Sequence, residues 1–136
     1  MPSLAQKLGI KPGHRVCLLN APPAGEALVR QECPPGVTVS PALEGKHHLI
    51  LLWPTQLEGL ATQLSELQHH IFPDGAIWLV IPKKRFAQAR GVHFTWEQMQ
   101  QAALQTDLVD NKDASFSLEE YGTRFVIRKN RRLASS

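Results

Sequence analysis

Three apolar runs stand out along the chain: Val16 to Leu19, Leu49 to Trp53 and Ala76 to Ile81. None of them alternates with polar residues, which is the pattern of strands buried on both faces of a parallel sheet. The strands are accordingly placed at Arg15 to Asn20, His48 to Trp53 and Ala76 to Ile81, with a shorter one at Val37 to Val39. A different period appears at Leu57, Leu60, Ala61, Leu64, Leu67 and Ile71, where spacings of three and four mark one face of a long helix. Three stretches have the form of a capping box, in which a hydroxyl oxygen caps the third helical amide and the residue there reaches back. They are Ser3 to Gln6, Thr55 to Glu58 and Thr95 to Gln98. They open a short helix closed by Gly9, the long helix, and a helix reaching about Gln105. A further helix is expected from about Ala24 to Gln31, stopped by Pro34-Pro35-Gly36. Pro73-Asp74-Gly75 is expected to turn the chain into the fourth strand. Two last strands, Val109 to Phe116 and Thr123 to Lys129, should pair antiparallel across a turn at Tyr121-Gly122.

This order predicts an α/β fold with a mostly parallel sheet and a C-terminal antiparallel strand pair. Only Ser40 to His47 separates the second strand from the third, too little chain for a helical crossover of about a dozen residues. Those two strands should therefore not be neighbours. One domain over residues 1–129 and a basic tail over 130–136 account for the whole chain.

Charge is unevenly spread. Residues 1–122 carry 10 Lys and Arg against 12 Asp and Glu, and residues 123–136 carry 5 against none. A basic tail serves solubility or holds a polyanion. No stretch approaches the ~20 apolar residues of a membrane helix, and the start of the chain lacks a charged leader followed by an apolar run. The expectation is a cytoplasmic protein with no membrane partner. Cys17 and Cys33 form no CxxC pair, and Cys17 falls inside a strand, which counts against disulfide, zinc and nucleophile roles. Adjacent histidines, His47-His48 and His69-His70, point in different directions and make no two-ligand site alone. No nucleophile signature such as GxSxG is present, so neither catalytic nor metal-ligating residues are expected.

The best candidates for binding lie where open α/β sheets place ligands, just past the carboxyl ends of the strands. Asn20 ends the first strand, Trp53 ends the third and offers an aromatic face, and Lys83 and Lys84 begin an acid-free basic loop with Arg85 and Arg90. An anionic ligand or a nucleic acid is the partner such a loop would suit.

The strand from Arg15 to Asn20, the strand from His48 to Trp53, and Phe72-Pro73-Asp74-Gly75-Ala76-Ile77-Trp78 resemble the class I S-adenosylmethionine-dependent methyltransferase pattern, and Tyr121 to Val126 suits its terminal hairpin. Leu8-Gly9-Ile10-Lys11-Pro12-Gly13, Leu19-Asn20-Ala21-Pro22-Pro23, Ile81-Pro82-Lys83-Lys84 and Leu108-Val109-Asp110-Asn111-Lys112 resemble more closely an uncharacterised bacterial family of small proteins, a domain of unknown function. The resemblance spans about residues 3–129. It implies a shortened Rossmann-like fold lacking part of the methyltransferase sheet, and no activity.

A methyltransferase of this class holds its cofactor at a glycine-rich turn after the first strand and on an acidic residue ending the second. Here the turn is Asn20-Ala21-Pro22-Pro23-Ala24-Gly25, and Ser40-Pro41 stands at the acidic position. The prolines remove backbone donors, and Glu26 falls in the first helical turn, where a phosphate would want the positive end of the dipole. No cofactor is expected. The leading expectation is a non-catalytic Rossmann-like binding or regulatory domain. The alternatives are a methyltransferase with an atypical cofactor loop, and a nucleic-acid-associated protein using the basic loop and tail.

Overall fold

The computed structural model describes residues 3–129, so the expected tail at 130–136 lies outside the described residues. Six strands form one sheet in the order β2-β1-β3-β4-β6-β5: β1 (Arg15–Leu19), β2 (Thr38–Ser40), β3 (His47–Leu52), β4 (Ile71–Pro82), β5 (Leu108–Ser115) and β6 (Glu120–Ile127). The pairs β1/β2, β1/β3 and β3/β4 are parallel, and β6 runs antiparallel to both β4 and β5. As expected, β1 lies between β2 and β3. This is a Rossmann-like α/β fold in a small, six-stranded form.

The unbroken apolar runs are explained by burial on both faces. Leu49, Leu51, Trp53, Trp78 and Val80 point into one core with α1 (Leu4–Leu8) and α2 (Pro23–Glu32). Ile50, Leu52, Ile77, Leu79 and Ile81 point into the other, with α3 (Leu60–Leu67) and α5 (Trp96–Leu104). Successive residues thus alternate between two apolar layers, so no polar position interrupts the strands. Between β4 and α5 lies the short α4 (Lys84–Ala87).

The capping boxes at Ser3 and Thr95 form in full. The one at Thr55 does not. Gly59 adopts φ 79° and becomes the N-cap, so α3 starts at Leu60 and spans 8 residues rather than a long helix. A 3-10 turn, Gln68–His70, ends it, and Ile71 already belongs to β4. The expected turn at Pro73-Asp74-Gly75 is also absent: these residues continue β4 through an irregularity in which Ile71 to Ala76 lies against His47 to Leu49. Glycine is needed there, because a Cβ at Gly75 would lie 2.9 Å from the His48 carbonyl oxygen and 3.0 Å from that of Phe72. Tyr121-Gly122 is a second correction. Both residues lie inside β6, and the chain reverses earlier, where Phe116 and Ser117 donate their amides to the Glu120 carbonyl. Gly122 serves close packing instead, since a Cβ there would stand 3.0 Å from the Trp78 ring.

Candidate functional site

The first strand is followed by Asn20, a left-handed residue at φ 60°. Asparagine tolerates that conformation better than most residues, and its Nδ2 donates to the Trp53 carbonyl at 2.8 Å. The bond ties the loops after β1 and β3 together. Pro22 then caps α2 with no side-chain hydrogen bond, and Pro23 is its first residue.

Trp53 continues from β3 and is buried. Its indole packs beside α2, where a Cβ on Gly25 would stand 3.0 Å from Cζ2, and it meets Phe116 edge-on at 5.4 Å. The indole Nε1 donates to Glu120 Oε2 at 3.1 Å. Glu120 is one of the few buried charged groups, 5% exposed, and Arg90 Nη2 donates to the same oxygen at 2.9 Å. Arg90 also reaches Glu119 at 3.5 Å.

A cleft of about 280 Å³ opens at this edge, lined among others by Asn20, Pro22, Trp53, Arg90 and Glu120. A smaller one of about 200 Å³ lies on the other side of Asn20 and Ala21, against Glu26, Arg30 and Pro41. Of the four expected binding residues, Asn20 and Trp53 are brought together here, and Lys83 and Lys84 are not. Lys84 borders a separate cavity of about 240 Å³ with Trp96 and Tyr121, and Lys83 uses its amide to bond the Glu119 carbonyl at 2.7 Å. Arg90 is the basic residue of the loop that enters the cleft. Burial pushes the Tyr121 hydroxyl above its usual range, with Asp113 and Glu97 adding to the effect.

The turn after β1 carries Pro22 and Pro23, and Ser40 rather than an acidic residue ends β2. Gly25, the one permissive position of the turn, already has the Trp53 ring against it. The Ser40 hydroxyl accepts the Ala42 amide at 3.0 Å, and Glu26 is paired with Arg30 at 2.9 Å. Among the described residues no group of three or more His, Cys, Asp or Glu could hold a metal ion, and no helix is long and apolar enough to cross a membrane.

No family model matches the chain, and no curated protein sequence matches it. Solved structures do. A TehB-like SAM-dependent methyltransferase of Corynebacterium glutamicum superposes with a TM-score of 0.58 at 12% identity, over 94% of this chain and 89% of the other. A protein of Sulfolobus solfataricus provisionally assigned as a type 11 methyltransferase gives 0.64 at 10% identity, over 93% and 90%. A SAM-dependent methyltransferase of Clostridium acetobutylicum gives 0.56 at 8%, over 90% and 87%. At these identities the likeness is one of fold, and the fold of this chain is that of the SAM-dependent methyltransferases.

Proposed function

We propose that this chain is a non-catalytic binding or regulatory domain whose small ligand sits at the carboxyl edge, in the cleft beside Asn20 and Trp53. The observation that carries the reading is the Trp53 indole, packed against Gly25 in the first turn of α2 and at the same time lining the open cleft beside Asn20. A ligand in that cleft meets a fixed aromatic wall and one ion pair. Of the backbone amides on which a nucleotide cofactor depends, those at Pro22 and Pro23 are missing from this turn.

The likeness of fold, taken alone, supports a second reading better than this one. The structures compared above include SAM-dependent methyltransferases that superpose over most of both chains, which favours a methyltransferase with an atypical loop. The first reading rests on local chemistry and the second on architecture, and fold does not by itself carry activity. Calorimetry with S-adenosylmethionine separates them. The expected result is no binding, or a dissociation constant weaker than about 100 μM, close to −5.5 kcal/mol. Tighter binding would replace the first reading with the second. The remaining alternative is nucleic-acid association through the basic loop and tail; in the loop Lys84 and Arg85 are exposed to solvent.

A further inference from the structure

Two charged side chains line the cleft beside Asn20, and their circumstances differ. The Glu120 side chain is 6% exposed and the Arg90 side chain 34%. Glu120 Oε2 accepts from both Trp53 and Arg90, while its Oε1 meets the Ser117 hydroxyl at 3.5 Å, a weak contact. Arg90 has a second carboxylate in Glu119, whose side chain is 49% exposed.

An incoming ligand with a charge has to break into this arrangement, and the cost depends on its sign. An anion that drew Arg90 away would leave a buried carboxylate without its counter-ion, the expensive way to open such a pair. A cation that took over Glu120 would instead release Arg90 to Glu119 and water. That exchange costs less, because the buried carboxylate keeps a cationic partner throughout. The formal charges of Glu119, Glu120 and Arg90 sum to −1, so the cluster also favours a positive guest. Trp53 also lines the cleft, with its indole nitrogen already donating to Glu120.

We propose that the cleft takes a small ligand carrying a positively charged amino or guanidino group, with Glu120 as its counter-ion and the Trp53 indole as its wall. This rests on the reading of the cleft as a ligand site. At about 280 Å³ the space falls just below the range of ~300–1,000 Å³ typical of drug-sized ligands, which points to a compact molecule.

The test uses three probes of one skeleton, phenethylamine, phenethyl alcohol and 3-phenylpropionate, titrated into the full chain near neutral pH. The readout is the nitrogen–proton signal of the Trp53 indole, assigned by its loss in Trp53→Phe. Phenethylamine is expected to shift that signal and to bind about ten-fold or more tightly than the other two, a difference of about 1.4 kcal/mol. Glu120→Gln should abolish the preference. Arg90→Gln, which removes the internal competitor, should tighten phenethylamine binding, and it keeps the question answerable where Glu120→Gln fails to fold. If the alcohol or the propionate binds as well as the amine, or Arg90→Gln weakens amine binding, the cationic assignment is wrong and the cleft survives as a ligand site. If none of the probes moves the Trp53 signal, the cleft is closed to small organic ligands and both readings fall.

Discussion

The two ends of the same strands are built in opposite ways. At the carboxyl ends of β1 and β3, the loops bridged by Asn20 and Trp53 stand beside an open cleft with an ion pair in its wall. At the amino ends, the gaps are filled. His48 Nδ1 accepts the Arg15 amide at 2.9 Å, and the His14 ring stacks on His48 with centroids 4.1 Å apart. Phe72 also packs on His48, with centroids 4.7 Å apart. His47 is buried beneath the same edge at 2% exposure. Of these two edges of β1 and β3, the carboxyl one holds a cleft with charged groups in its wall, and the amino one is packed by rings. That division is what open α/β sheets lead one to expect.

The largest effect that probes the contrast is at Trp53. Trp53→Ala should destabilise the fold by about 3–5 kcal/mol, because it removes a buried indole and leaves a cavity beside Gly25. Denaturant melts would show it. A loss below about 1 kcal/mol would mean that the ring sits over the cleft as a loose cover and is no part of the core.

Next in size is a pair of glycines, one at each end. Gly25→Ala pushes a methyl against the Trp53 ring at 3.0 Å, whereas Gly75→Ala pushes one against two backbone carbonyls at 2.9 and 3.0 Å. A ring can tilt, and a backbone held in a sheet gives less. Overpacking of this kind costs about 1–3 kcal/mol, with Gly75→Ala expected near the upper end and Gly25→Ala near the lower. The reverse ranking in thermal or urea melts would show that the carboxyl edge is the more rigid of the two.

How far this was legible in the sequence follows from the same contrast. The strands could be read because the apolar residues of β1, β3 and β4 are buried on both faces, and the caps at Ser3 and Thr95 because a local hydrogen-bond pair needs only four residues. The Thr55 box has the right letters, yet Gly59 takes a left-handed turn before the helix starts. Leu57 still packs against the core from outside the helix, and Ile71 does so from the next strand, which is why the stripe looked longer than α3. Gly122 reads as a turn residue until the Trp78 ring lying on it is known. The site was half legible. Asn20 and Trp53 end strands on the expected edge, but Glu120 is 30 residues from Arg90 and 67 from Trp53. No local pattern announces pairings of that range; the one available hint was an acidic residue at the start of the last strand, opposite the carboxyl end of β4.

The smallest expected effect concerns pH and belongs to the amino end. Burial lowers the His14 pKa from its usual value, with His48 and Lys11 adding to the effect and Asp74 opposing it. His47 is lowered as well, first by burial and then by Arg15 and His70, against the carbonyls of Leu43 and Glu44. Those carbonyls stand near enough to favour a ring proton, yet neither ring nitrogen of His47 makes a hydrogen bond of acceptable geometry among the described residues. The fold therefore favours the neutral form of both imidazoles, and His14 Nδ1 spends its lone pair on the Lys11 amide at 3.2 Å. A proton placed there turns an acceptor into a donor facing a donor. Because the folded chain binds fewer protons than the unfolded one, their contribution is fully present above about pH 6.5, the ordinary histidine value. It is lost as pH falls from there towards the lowered folded values, and the loss levels off once they are passed. Urea melts between pH 7.5 and 5.5 should show a small decline, below the ~1 kcal/mol net value of one hydrogen bond because solvent reaches the His14 side. His14→Gln, which cannot take up a proton, should make that decline shallower. Stability that stays level or rises on acidification over this window would show that the amino edge is not held by neutral histidines, and the contrast between the two ends would lose its structural half.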